Sequence, residues 1–323
     1  MREAAFVKIH KDRWQLFEDV LAKKQELSPD KLSDLYIEIT DDLSYAKTFY
    51  PKSNTVIYLN SIASSAHQKI YKTKKEGKNR IISFFKTEFP LEFYTYHKQL
   101  AIAFIVFAFF TIVGMYSASE DGDFVRLILG DNYVNMTLEN IEKGDPMAVY
   151  KGDDETSMFI AITINNIKVA MMAFVYGMLL AVGTLFIMMQ NGIMLGSFLY
   201  LFYDNDLLWE SSRTIWIHGT IEISVIIIAG CAGLVLGNGI LFPKTYTRLE
   251  SFKRSVKAGL KIMVSTIPFF IIAGFLEGFV TRHTEMPDWL AILIIVASLV
   301  LIIYYYVIYP IKLTKELESY GEQ

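Results

Sequence analysis

In the stretch WIHGTIEISVIII, residues 216–228, a histidine and a glutamate sit four positions apart inside an otherwise apolar run. On a helix that spacing puts His218 and Glu222 on one face. An ionisable side chain in hydrocarbon costs roughly 3 kcal/mol even on the lenient insertion scales, so the pair needs either partners or a task. Three chemistries suit it. A histidine can donate to a carboxylate one turn away, with asparagines satisfying the remaining lone pairs, which makes a buried hydrogen-bond network that holds helices in register. One histidine and two glutamates can also ligate a divalent cation and leave positions open for water. Acids and a histidine in a row can relay protons or ions.

Positioning such groups requires membrane helices. The chain has 323 residues, 53% of them hydrophobic, yet 20% are charged, which points to a polar part joined to a very apolar one. A net charge of −3 excludes neither half from water and gives no basis for a nucleic-acid partner. The single cysteine, Cys231, lies in an apolar run and cannot form an intrachain disulfide. The N-terminal residues lack the apolar core of a secretory signal, so internal segments are expected to direct insertion.

Apolar runs near 100–117, 158–189, 192–203, 215–242, 263–281 and 289–309 are candidate spans, judged against the about 20 residues a crossing helix needs. Basic residues before the first run (Lys69, Lys72, Lys74, Lys75, Lys78, Arg80, Lys86, Lys98), after the fourth (Lys244, Arg248, Lys253, Arg254, Lys257, Lys261) and after the last (Lys312, Lys315) predict three cytoplasmic segments. The segment 119–156 carries ten acids against three basic residues and is expected outside. This arrangement requires the short third run to cross as well, being tilted or extended by DNDLLW, with a re-entrant loop as the alternative. The sequence thus predicts an all-α polytopic protein with six transmembrane helices and both termini inside. Its expected parts are a cytosolic helical domain at 1–95, a membrane domain at 96–311 with an acidic outer loop at 119–156, and a tail at 312–323.

On that topology Asn165 and Asn166 of the second span, His218 and Glu222 of the fourth, and Glu277 of the fifth share one depth. Glycine pairs Gly192/Gly196, Gly233/Gly237 and Gly274/Gly278 have the small-x-x-x-small spacing that lets helices approach closely. Gly219 beside His218 is expected to do the same. NGI occurs at 191–193 and at 238–240, each placed near the cytoplasmic end of an inward-running helix, and the same 47-residue offset superposes Gly183 on Gly230, which suggests a parallel internal repeat. Tyr304, Tyr305, Tyr306 and Tyr309, with Trp289, fit interfacial aromatic belts.

In the first hundred residues, Phe6, Ile9, Trp14, Phe17, Val20 and Leu21 form one helical stripe. Ser28 and Pro29 open a second helix that reaches about Tyr50, and Asn54 to Tyr71 makes a third. KNRIISFFKTEF is read as a short helix on the membrane surface. The expected product is a small helical bundle, with partner docking as the alternative.

The blocks TINNIKVAMMAFVYGMLLAVGTLFIMMQNGIMLG, IHGTIEI and FLEGFVT resemble, in order and spacing, the stage II sporulation protein M family of bacterial integral membrane proteins. The resemblance covers about 165–309 and looser features of the N-terminal region. The family's double asparagine corresponds to Asn165 and Asn166, its H-G-x-x-E to His218, Gly219 and Glu222, and its intramembrane acid to Glu277. It implies a bacterial inner-membrane protein whose namesake is associated with peptidoglycan-degrading partners. Three functions stay open. The first is a cell-envelope scaffold recruiting such partners through the acidic loop or the cytosolic domain, with membrane lipid around it. The second is a permease for an ion, a lipid or a lipid-linked substrate. The third is a metal-dependent intramembrane hydrolase at His218, Glu222 and Glu277. A divalent metal is the sole cofactor for which the residues have ligands, and the sequence leaves room for a homo-oligomer. Enzymatic activity is the less expected outcome.

Overall fold

The computed structural model describes residues 1–21, 29–70, 80–148 and 155–321. The expected cap at Ser28, the lysines at 72, 74, 75 and 78 and residues 149–154 near the end of the acidic segment lie outside the described residues. The chain forms two compact units, Met1–Arg80 and Ile81–Gln323. Residues 81–95, grouped by the sequence with the N-terminal domain, lie in the second.

The first unit holds α1 (Glu3–Leu21), α2 (Pro29–Phe49) and α3 (Asn54–Ile70). Phe6, Trp14 and Phe17 of α1 pack on Leu35, Ile39 and Leu43 of α2 and Leu59 and Ile62 of α3. Ile9, read as part of that stripe, is instead exposed. The polar Asp42 is buried among them and accepts from Trp14 Nε1 at 2.7 Å and from Arg13 at 2.5 Å, which gives its charge the partners burial demands.

The second unit starts with α4 (Arg80–Ser83), a π-helical turn (Phe84–Glu88) and α5 (Phe89–Tyr94). In the segment expected on the membrane surface, residues 78–89, Ile81 and Ile82 are exposed, whereas Phe89 at its end, and Phe93 beyond it, are buried in the protein against Tyr305 and Tyr306. Lys261 pairs with Glu88 at 2.6 Å and Glu92 at 2.5 Å, tying the segment to the bundle. Three of the four tyrosines placed in a belt bond to the protein's own carbonyls, while Tyr304 is exposed. Tyr306 is fully buried and donates to the Ser265 carbonyl at 3.0 Å, while Tyr305 and Tyr309 donate to the carbonyls of Phe85 and Lys86. Trp289 stays exposed.

Among the described residues six helices are long and apolar enough to cross a membrane: His97–Glu120, Glu155–Met178, Val182–Asp204, Leu208–Leu241, Arg248–Thr281 and Asp288–Ser319. They contain α6 (His97–Glu120), α9 (Glu155–Val175), α10 (Val182–Asp204), α11 (Leu208–Leu241), α12 (Arg248–Phe275), α13 (Asp288–Ile303) and α14 (Tyr309–Gly321). Between the first two spans lie α7 (Gly122–Leu129) and α8 (Asp131–Glu142). Helix α11 is buried on nearly all sides from Val225 to Gly237 and packs on α6, α9, α10, α12 and α13, so it needs no polar face. Helices α6 and α13 leave Ile105, Phe109, Leu293 and Val300 exposed, as lipid-facing surfaces do.

The third span is full length. The long second run breaks at 176–181, where Tyr176–Met178 tighten into a 3-10 turn and Leu180 and Ala181 take φ of 53° and 67°. Such backbone costs a non-glycine residue about 1 kcal/mol or more, so packing must hold it. Gly177 rests on the Gly233 carbonyl, where a Cβ would collide. Nothing polar and no proline marks this turn, hence hydropathy ran through it. DNDLLW contains the turn after α10 and does not extend it. Asn191 consequently falls inside α10, while Asn238 ends α11, the next helix in sequence. The NGI repeat does not survive this placement.

The glycine pairs are seated as their spacing suggests. Gly192 and Gly196 of α10 lie against the backbone of α6 at Phe107 and Thr111, with Gly114 facing Ile193 from the other side. Gly233 and Gly237 admit Ala173, Thr184 and Ala181, and Gly274 and Gly278 admit Thr163, Phe159 and the Glu155 carbonyl. Gly219 does not behave so: the nearest atoms beyond its neighbours belong to Ile215 and Ile223 of its own helix.

Candidate functional site

Helix α11 presents His218 and Glu222 on one face, and that face meets α9 and the end of α12. At the latter, α12 passes into a π-helical turn, Leu276–Thr281, which adds a residue to the helical turn and shifts the side chains that follow. Glu277 and Thr281 both come from it and both reach His218. The His218 Nε2 lies 3.8 Å from Glu277 Oε1, and its Nδ1 lies 2.9 Å from Thr281 Oγ1. Thr281 in turn donates to the Leu276 carbonyl at 3.1 Å. With its hydrogen so engaged, the threonine oxygen accepts from Nδ1–H, which leaves the imidazole lone pair on Nε2, the nitrogen facing Glu277.

One donor atom from each of His218, Glu222 and Glu277 lies within 4.8 Å of the others. An ion bound to all three at about 2.1–2.4 Å would hold them about 3–4.5 Å apart, so a small inward movement suffices. These residues line a cavity of about 400 Å³ together with Asn165, Asn166, Asn191 and Tyr133. All five polar residues singled out in the sequence are therefore brought together. Gly219 also lines the cavity, which explains why no other helix crowds it. Its small size keeps the space beside His218 open.

The network is not closed. Asn166 is buried with its Nδ2 beside the Glu222 carboxylate, in a geometry short of a full hydrogen bond. Asn165 is exposed at the edge of a second, shallower recess formed with Ala161, Ile162, Asn166, Glu222 and Glu277. His283 lies in the loop beyond α12 and does not join the group.

The cavity has a roof. Ile128 and Leu129 of α7 and Tyr133 of α8 line it, and these short helices dock through Val125 and Val134 onto Ala118 and Leu201. The acidic segment is thus amphipathic, with its apolar side over the cavity. Burial pushes the Tyr133 phenol above its usual range, the Thr137 hydroxyl opposes this, and the Glu277 charge adds to it. The opposite wall, at Phe107, Val169 and Ile226, is apolar. Near the roof, Arg282 pairs with Glu155 at 2.9 Å, and Arg213 holds Asp288 at 2.5 Å and the Thr284 carbonyl at 2.9 Å, fixing the loop after α12.

Sequence reasoning missed Thr281, Asn191, Tyr133 and Lys168. Thr281 lies four residues beyond Glu277 and was findable by the spacing that linked His218 to Glu222. Asn191 was misplaced with the end of its helix. Tyr133 had no signal, because a roof depends on how α7 and α8 fold back. Lys168 was findable as the one basic residue in the second span, and it is exposed.

A model of a domain of unknown function matches residues 4–72, within the first unit. An uncharacterised protein of Methanocaldococcus jannaschii is 25% identical over 157 residues, covering 47% of this chain and 68% of that protein. No solved structure matches the chain. The family model of stage II sporulation protein M matches residues 103–282, more than half of the chain and every residue of the polar group. The chain is a multi-helix membrane protein that belongs to the stage II sporulation protein M family.

Proposed function

We propose that this protein is a permease-class membrane protein whose substrate, a divalent cation alone or chelated by a small polar molecule, enters the chamber at His218, Glu222 and Glu277. One observation carries the reading: two carboxylates and an imidazole converge within 4.8 Å around open space. The space exceeds a bare ion and is at the lower end of small-ligand sites. Asn165, Asn166 and Asn191 offer amide oxygens and N–H groups to the remainder of such a substrate.

The positive-inside rule sets the basic segments at 244–261 and 312–315 in the cytoplasm, which directs the roof of α7 and α8 to the outer side. Acids on that roof then raise the local cation concentration at the entrance. The apolar wall at Phe107, Val169 and Ile226 corresponds to a conformation closed toward the cytoplasm. In a bacterial cell this is the inner membrane.

The test is manganese or zinc binding and uptake by protein reconstituted in liposomes. Wild type is expected to bind about one equivalent and to show saturable uptake, with both lowered at least tenfold by Glu222→Gln with Glu277→Gln. Equal binding by the folded double variant would remove the reading.

A scaffold role for envelope partners, including peptidoglycan-remodelling enzymes, is the second reading. It is favoured by the His218–Thr281 bond, which ties α11 to the end of α12, and by the acidic surface of α7 and α8. Capture of envelope enzymes from native membranes by wild type, and their loss in His218→Ala, would favour it over the permease.

A further inference from the structure

Lys168 stands in the wrong solvent. It lies thirteen residues from Glu155 and ten from Met178 in a span whose neighbouring exposed residues are Ile164, Met171 and Val175. Ten residues of helix rise about 15 Å, whereas a lysine side chain reaches roughly 6 Å, so the ammonium cannot extend to either interface from an isolated helix. It is exposed, and among the described residues it has neither a hydrogen bond nor an ion pair. Charged residues inside membrane segments face protein or a water-filled cavity and pair there. Something other than lipid therefore covers this side of α9.

The same side carries the complement of that charge. Asn165, one turn from Lys168, borders the recess whose floor is Glu222 and Glu277, with the small Ala161 at its rim. Lys168 itself lines a neighbouring groove with Ile164, Ile167 and Met171, and it and the acidic recess lie on adjoining faces of α9 at depths within about a turn of each other. A patch bearing both a cation and its acceptors is self-complementary, which is the requirement of an isologous two-fold contact. A two-fold axis along the membrane normal keeps depth, so it brings each lysine opposite the other copy's recess.

We infer that α9 is a homodimer interface in which Lys168 of a second copy enters the recess at Asn165 and completes the Glu222–Glu277 site. The ammonium and a cation in the chamber would compete for the same two carboxylates, so the lysine occupies the recess while the chamber is empty, and each polar centre is a product of two chains. The lysine is a positioning and charge-balancing residue, and the unit that functions is the dimer.

The experiment uses full-length protein with Cys231→Ala, carrying Ile164→Cys on α9 or Leu293→Cys on the exposed face of α13, oxidised in native membranes and resolved without reductant. Ile164→Cys is expected to give a disulfide-linked dimer and Leu293→Cys none. Adding Lys168→Met should lower the Ile164→Cys yield at least fivefold, Lys168→Arg should retain it, and Glu222→Gln with Glu277→Gln should lower it without a further drop when Lys168→Met is added. Native mass spectrometry in lipid nanodiscs should give two copies. A monomer in nanodiscs, whether the face is covered by lipid or by a different protein, overturns the inference. So does equal cross-linking at Leu293→Cys, or a yield unmoved by Lys168→Met. If the double glutamine variant fails to fold, Lys168→Met against Lys168→Arg decides alone.

Discussion

Thr281 Oγ1 lies 2.9 Å from Nδ1 of His218 and fixes which imidazole nitrogen faces Glu277. Partners of this type orient a ligand side chain, and their loss lowers metal affinity about 10–100-fold. Thr281→Val keeps the shape and removes the oxygen. It is expected to weaken manganese binding about tenfold by calorimetry, with Thr281→Ser near wild type. Equal affinities for the two variants would show that the imidazole needs no such anchor.

The glycines separate into two classes that a stability measurement distinguishes. Gly196 sits on the Thr111 carbonyl and the Met115 amide, so Gly196→Ala forces α6 and α10 apart and is expected to cost about 1–3 kcal/mol. Gly219 meets only its own helix at 3.7 Å or more, so Gly219→Ala should leave the thermal transition in detergent nearly unmoved while reducing cation binding. Equal destabilisation by both would contradict the packing described for α11.

How much of this was legible follows from what each residue depends on. The spans, the convergence of Asn165, Asn166, His218, Glu222 and Glu277, and three glycine pairs depend on local composition and helical spacing, which a sequence displays. The break at Leu180 and Ala181 depends on Gly177 lying against Gly233, a contact 56 residues away in the chain. The use of Tyr306 depends likewise on Ser265 and on the return of Phe89 and Phe93 into the bundle. A tyrosine run near a span end reads the same whether it meets lipid headgroups or carbonyls. Ile9 was misplaced because a stripe drawn by periodicity is wider than the groove it fills.

Tyr306 also offers a comparison with its neighbour. Its hydroxyl is buried and bonded to Ser265, whereas Tyr304 is 46% exposed. Tyr306→Phe is expected to cost about 1 kcal/mol, that of a buried hydrogen bond, and Tyr304→Phe close to nothing. Thermal unfolding in one detergent checks both. A cost at Tyr304 equal to that at Tyr306 would restore the interfacial belt.

The roof supplies the last prediction. Val134 is 3% exposed and packs with Ala118, Val125 and Leu201, holding α8 over the cavity. A carboxylate there has no partner, and burying it costs more than this small cluster returns, so Val134→Asp should undock α8 while the spans stay packed. Ile223→Cys, placed in the cavity wall beside Glu222 with Cys231→Ala, reports the result. In intact cells a membrane-impermeant thiol reagent is expected to label Ile223→Cys slowly, and at least tenfold faster when Val134→Asp is added. Faster labelling from the outer face would place the roof outside, as the basic loops imply. Acceleration seen only in inverted vesicles would reverse the orientation, and an unchanged rate on both sides would mean that α7 and α8 do not control entry.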